Sequence, residues 1–200
     1  MPFIGLTGGL GTGKTTVLKL FKNSGAYTID ADKLVHQILK KPLTIKKLAA
    51  VIGKGILIER ASKTFVNKKR MADIIFNNSQ KRRAVEKIIH PEVIKTAEDI
   101  KTKILAKKSD AIIVFEVPLL LEAGYEKIFD KIIVIYCSKA KAVERLRKRG
   151  LSKEQALKRM NSQMPISRKK AYADFLINNN SNINGLKYWV QAILKKLSVY

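Results

Sequence analysis

Gly8-Gly9-Leu10-Gly11-Thr12-Gly13-Lys14-Thr15 decides how this chain is read. The octapeptide fits the spacing G-x-x-x-x-G-K-[ST] of a phosphate-cradling loop. An apolar run, Phe3-Ile4-Gly5-Leu6, precedes it and reads as a first strand. Thr16-Val17-Leu18-Lys19-Leu20-Phe21 follows and reads as a helix. That strand–loop–helix setting separates a working loop from a glycine-rich turn without chemistry. Glycines let backbone N–H groups converge on phosphate oxygens, and the helix start adds its partial positive charge. Gly8, Gly9, Gly11, Thr12, Gly13, Lys14, Thr15 and Thr16 are therefore expected to hold a nucleoside triphosphate. Lys14 can reach its β- and γ-phosphates, and the Thr15 hydroxyl can ligate Mg²⁺.

Outward from the loop, strand-like segments alternate with helical ones. Strands are expected at Phe3–Leu6, Tyr27–Ile29, Ala111–Val117, Ile132–Cys137 and Phe175–Ile177. Such alternation predicts an α/β fold with a parallel, doubly wound sheet covered on both faces. The last helix, from about Ile183, puts Ile183, Leu186, Trp189, Val190, Ile193, Leu194 and Leu197 on one stripe, with Asn180-Ser181-Asn182 supplying its cap. Trp189 is expected to be a packed anchor. Two stretches stand outside the alternation, which leaves about 1–38, 109–137 and 171–200 as core. The first, about 39–108, is lysine-rich and reads as largely helical, with a Gly53-Lys54-Gly55 break. The second, about 138–170, is helical and punctuated by Gly150 and Pro165. Insertions at the carboxyl edge of a parallel sheet sit over the ligand crevice, so the first is expected to bind substrate and the second to act as a lid.

Composition narrows the class. The 200 residues suit one domain, and 46% hydrophobic with 28% charged residues is ordinary globular usage. The longest apolar run, Ala111 to Leu121, is broken by Glu116 and Pro118 and is too short to span a bilayer, so no membrane partner is expected. The chain enters its first strand at once, so no cleavable signal is expected. One cysteine, Cys137, excludes an internal disulfide and suits a reducing, cytoplasmic location. Standing at the end of a predicted strand, it is expected in the core. A net charge of +24 would fit nucleic acid, but the lysines are scattered, with no basic tail and no arginine–aromatic interleaving. No dedicated nucleic-acid partner is expected, and the charge should draw polyanionic small molecules to a monomer or weak homo-oligomer.

A second constellation follows the second strand, at Ile29-Asp30-Ala31-Asp32. A carboxylate there faces the phosphate loop, where it can accept a hydroxyl proton or hold Mg²⁺ through water. Continued extension would put Asp30 and Asp32 on one side; otherwise one of them opens or caps the next helix. Arg145 and Arg149 stand four apart on a predicted helix, so both can face the same phosphates, while Arg147 lies on another face.

Thr7 through Thr16 followed by Ile-Asp-Ala-Asp resembles dephospho-coenzyme A kinase. The likeness continues through Met71–Phe76, Ile89-His90-Pro91, Val117-Pro118-Leu119-Leu120-Leu121-Glu122, Gln163-Met164-Pro165 and Ala173–Asn178, and so covers nearly the whole length. The loop is shared by many kinases; its succession by Asp-Ala-Asp, His-Pro and Pro-Leu-Leu-x-Glu is specific. The resemblance implies a P-loop kinase core with a helical coenzyme-binding insertion and a lid. It implies ATP-dependent, magnesium-assisted phosphorylation of the ribose 3′-hydroxyl of dephospho-coenzyme A. It makes Asp32 the catalytic base, with Lys14, and Arg145 and Arg149 the lid arginines. Substrate contacts are expected at Asp32, at His36 on the next helix, at Lys68 and at His90. Pro118 and Leu119 would form an apolar floor. His90 before Pro91 also fits a helix start. Two positions depart from the family pattern: Gly150 directly follows Arg149, and Lys68 stands where arginine is common. The alternative is another P-loop kinase acting on a nucleoside, nucleotide or small hydroxyl metabolite. A GTPase is disfavoured because neither Asp-x-x-Gly nor Asn-Lys-x-Asp occurs.

Overall fold

A computed structural model of the protein describes residues 2–60 and 63–198. The chain folds as β1 Phe3–Gly8, α1 Lys14–Asn23 and β2 Tyr27–Asp30, then α2 Ala31–Ile38 and α3 Pro42–Ile52. A hairpin of β3 Leu57–Arg60 and β4 Lys63–Val66 precedes α4 Lys68–Asn77 and α5 Ser79–Lys107. Then come β5 Ile113–Glu116, β6 Lys131–Tyr136, α6 Lys139–Arg147, α7 Lys153–Asn161, α8 Ile166–Lys170, β7 Phe175–Asn178 and α9 Ile183–Leu197. Two compact units result: Met1–Asp30 with Lys101–Tyr200, and Ala31–Ile100.

The first unit is built on a sheet of order β2-β5-β1-β6-β7, parallel throughout. All five expected strands are present. β1 is buried along its length because it is the middle strand and both its faces are covered. Ile4 and Leu6 pack with Val17, Phe21, Val190 and Ile193, so α1 and α9 cover one face. On the other, Phe3 meets Phe129 at 5.0 Å between ring centroids and Phe115 at 6.1 Å. A Cβ on Gly5 would lie 2.6 Å from Leu120 Cδ1, so only glycine fits that contact. Chain connections leave β1 toward β2 and leave β6 toward β7. The reversal between these neighbours opens the crevice at their carboxyl ends, where the loop sits.

Asn182 caps α9, its Oδ1 accepting the N–H groups of Asn184 and Gly185. Leu186, Val190, Ile193 and Leu197 are buried, but Ile183 and Trp189 are 46% and 40% exposed. At 100° per residue both lie about 60° off the centre of the stripe, where the sheet no longer covers them. Trp189 is therefore not a packed anchor; it meets Tyr188 edge-on at 6.2 Å. Cys137 lies just past β6 and is half-buried, not in the core. Burial pushes its thiol up, against a weaker pull down from Arg145 and Lys141, so the nucleophilic thiolate is disfavoured.

The second unit differs from the helical expectation in its hairpin, which pairs Leu57 with Val66 and Ile58 with Phe65. Strands this short, each with two adjacent apolar residues and two polar or charged ones, do not alternate and carry almost no periodic signal. The buried residues of α3, Ile45, Leu48 and Ile52, supply apolar surface beside buried Ile56 and Val66. His90-Pro91 is not a helix start, because α5 continues through it. Pro91 removes one N–H from the ladder, but it and Lys87, whose carbonyl loses that donor, are exposed to water. Among the described residues no helix is long and apolar enough to cross a membrane.

Candidate active site

The loop from Gly8 to Gly13 joins β1 to α1, and its geometry follows from its residue types. Gly13 has φ 94°, and a Cβ there would collide with Asn179 Nδ2, so any side chain would be both strained and obstructed. No side chain caps α1, and its first turn carries no acidic residue, which leaves the helix start available to an anion. Thr12 turns inward instead, its hydroxyl donating to the Gly9 carbonyl at 2.8 Å. Lys14 is buried to 8% exposure; its ammonium donates to the carbonyls of Gly8 and Gly9 at 3.2 and 3.0 Å. Thr15 and Thr16 are exposed at the mouth.

The Thr15 hydroxyl donates to Glu116 Oε1 at 3.3 Å. Glu116 is a buried carboxylate at the end of β5, and register lays Asp30, the last residue of β2, directly beside it. The carboxyl ends of two neighbouring strands thus bring two acidic residues together beside the loop. Sequence reasoning counted Glu116 only as a break in an apolar run. Its signal was its place, the sole charge of that run and at the carboxyl end of a predicted central strand.

Asp32 is not a continuation of β2. α2 begins at Ala31, so Asp32 sits exposed in the first helical turn, where the helix dipole favours its charge. It belongs to the second unit with His36, Lys68 and His90, which stand on α2, α4 and α5. His36 is exposed in the last turn of α2, and Lys68 opens α4 behind the Asn67 cap. His90 is half-buried; desolvation lowers its pKa from 6.5, opposed by Glu86. Pro118 and Leu119 lie partly buried in the loop after β5, in the first unit.

Arg145 already reaches the loop. Its guanidinium donates to the carbonyls of Gly11 and Thr12 at 3.5 and 3.4 Å and to Asn179 O and Oδ1 at 3.1 and 3.2 Å. Asn179, buried just past β7, donates from Nδ2 to the Thr12 carbonyl at 2.7 Å and closes the triangle. Sequence reasoning missed this residue too, although it also follows a predicted strand. Arg149 does not share α6 with Arg145, because the helix ends at Arg147. Gly150, at φ 88°, donates to the Arg147 carbonyl and Leu151 to that of Leu146, the paired bonds of a glycine-terminated helix. Both arginines nevertheless line one cavity of about 390 Å³, with Gly13, Thr16, Asn179 and Ile183.

Residues 2–185 match the family model described as dephospho-CoA kinase. The dephospho-CoA kinase of Aquifex aeolicus (strain VF5) is 39% identical over 199 residues, covering 99% of this chain and 98% of the relative. A crystal structure from Thermus thermophilus superposes with a TM-score of 0.80 at 25% identity, covering 98% of this chain and 97% of that one. The dephospho-CoA kinase of Campylobacter jejuni gives a TM-score of 0.70 at 28% identity, with the same coverage.

Proposed function

The chain belongs to the dephospho-CoA kinase family, and on that premise we propose that it transfers the γ-phosphoryl group of ATP to the ribose 3′-hydroxyl of dephospho-coenzyme A. This is the last step of coenzyme A synthesis, here assigned to the cytoplasm. The observation that carries the reading is the uncapped start of α1 behind a glycine loop, with a buried lysine ammonium already held over it.

The chain's own groups supply the chemistry. Loop N–H groups and the α1 terminus bind the donor phosphates. Lys14 exchanges its carbonyl partners for phosphate oxygens, and because it is already desolvated it meets developing charge with little reorganisation. Thr15 and Glu116 fit Mg²⁺: a hydroxyl and a carboxylate 3.3 Å apart are hard oxygen donors, and a cation that keeps several waters needs few of them. Among the described residues no cluster of three or more His, Cys, Asp or Glu forms a dedicated metal cage. When bound, the ion neutralises charge on the phosphate oxygens. Asp32 accepts the hydroxyl proton, and Asp30 supports the ion through water. The cavity beside α6, with amide and hydroxyl groups on one side and Ile183 and Leu186 on another, suits the base and ribose of ATP. Residues 138–170 act as a lid that excludes water, and 39–108 bind the coenzyme, with Lys68, His36 and His90 on the substrate side.

The test is a product assay. ATP, Mg²⁺ and dephospho-coenzyme A should yield ADP and a product whose new phosphate is on the 3′-oxygen, read by phosphorus NMR and mass. Phosphate on another oxygen, or no transfer, would refute the assignment.

A further inference from the structure

Two motifs take no part in the chemistry above: Glu122, which closes Val117–Glu122, and Met164 within Gln163-Met164-Pro165. They meet at the Glu122 carboxylate, which accepts from the Met164 N–H and from one ammonium. Lys169 of α8 is 0% exposed in a chain whose other cations are mostly on the surface. It donates to the Pro118 carbonyl and to Glu122 Oε2, each at 3.1 Å, and forms an ion pair with the same carboxylate, 2.9 Å from Oε1. Glu122 Oε1 also accepts the Met164 N–H at 2.9 Å. The Pro118 carbonyl takes a second donor, the hydroxyl of fully buried Thr7, at 3.2 Å. Thr7 directly precedes the phosphate loop, and Pro118 lies two residues past Glu116.

We infer that Glu122 and Lys169 are positioning residues, a strut built on a fully buried ammonium that ties residues 163–170 to the root of the phosphate loop and to the strand end carrying Glu116. Every group in it belongs to the first unit. A charge pair can hold a joint that an apolar contact cannot, because the buried Lys169 ammonium is tolerated in the interior only while Glu122, at the protein–water boundary, stays bonded to it. The segment where the proposed lid returns to the core is thereby fixed. Closure on nucleotide is confined to residues before 163, and Thr7 and Glu116 keep their register while it happens. This rests on the phosphoryl-transfer reading.

The variants Glu122→Gln, Lys169→Met and the double variant separate positioning from mere stability. Glu122→Gln leaves the buried ammonium without its counter-charge, and Lys169→Met leaves Glu122 and the Pro118 carbonyl without their ammonium donor; the double change removes both charges but still leaves the Pro118 carbonyl without that donor. Well below each variant's unfolding temperature, the singles should lose on the order of 10-fold or more in kcat, since small misplacements of reacting groups are costly, with KM for ATP within about 3-fold of wild type. ATP hydrolysis per phosphoryl transferred should rise. The double variant should regain thermal stability relative to Glu122→Gln, which alone strands a buried charge, while its kcat stays low. Folded singles with wild-type kcat, or a double variant whose kcat recovers along with its stability, would overturn the strut. If the singles do not fold, the double variant alone decides. If wild-type protein binds ATP yet phosphorylates no dephospho-coenzyme A, the functional reading fails. The strut is then judged by amide exchange at Met164 with ATP bound, which should be slow in wild type and fast in Lys169→Met; equal exchange would refute it.

Discussion

Lys14 sits in a nearly dry site with its ammonium bonded to the carbonyls of Gly8 and Gly9. The same ammonium is then placed to act on phosphate oxygens without first shedding water. Lys14→Ala should lower kcat by roughly 10²-fold or more, the scale of losing one such donor; steady-state kinetics on the folded variant check this, and near-normal kcat would exclude the role. Glu116→Gln keeps the shape beside Thr15 and removes a charge, so the Mg²⁺ concentration for half-maximal rate should rise several-fold, with ATP affinity in the absence of metal unchanged. Asp32→Asn, which removes basicity alone, should cost on the order of 10²-fold in kcat. Asp30→Asn should cost less and share the metal dependence of Glu116→Gln, since register sets those two side by side. A larger loss at Asp30 would transfer the base to it.

Helices α6 and α7 show how local rules place side chains beside the phosphate loop. Ser138 caps α6, Gly150 ends it, and Ser152 with Gln155 forms a capping box that starts α7 six residues after α6 stops. Arg145 is thereby held on the loop carbonyls while Arg149 sits in the turn between the helices, free of the i, i+4 geometry that spacing suggested. An ATP analogue with dephospho-coenzyme A should protect Ser138–Ser162 from proteolysis more than either ligand alone, with Lys169 protected in all states. Unchanged cleavage in the ternary complex would argue against a lid. In α5, half-buried His90 has its pKa held below 6.5, chiefly by desolvation. The unfolded chain then binds the proton more readily, so stability should fall as pH drops through 6.5 toward the folded value. His90→Gln should flatten that slope in urea unfolding measured between pH 7 and pH 5.

A net charge of +24 over 200 residues favours polyanionic ligands such as polyphosphates. If residues 39–108 bind the pantetheine-pyrophosphate portion, remote binding energy orients the reacting hydroxyl, and kcat/KM for dephospho-coenzyme A should exceed that for AMP by at least about 10²-fold. Equal efficiency would favour a nucleotide kinase. The loop, the five parallel strands and the buried stripe of α9 were legible in the chain because each is a local pattern: glycines at set spacing, apolar runs, a 3.6-residue period. Less visible was anything that depends on what packs above a residue. Trp189 sits on an apolar stripe, yet the sheet stops short of it, and Pro91 lies inside a helix because water reaches the carbonyl it orphans. Glu116, Asn179, Glu122 and Lys169 each look like an ordinary polar residue in a row of letters. Only parallel register and the return of the chain from α8 to β7 bring them onto the loop and onto one another, across separations of 101 residues for Thr15–Glu116 and 167 for Thr12–Asn179. Local patterns cost little to encode in neighbouring residues; a buried charge or amide is stable only beside its partner, and the partner is chosen by the tertiary fold.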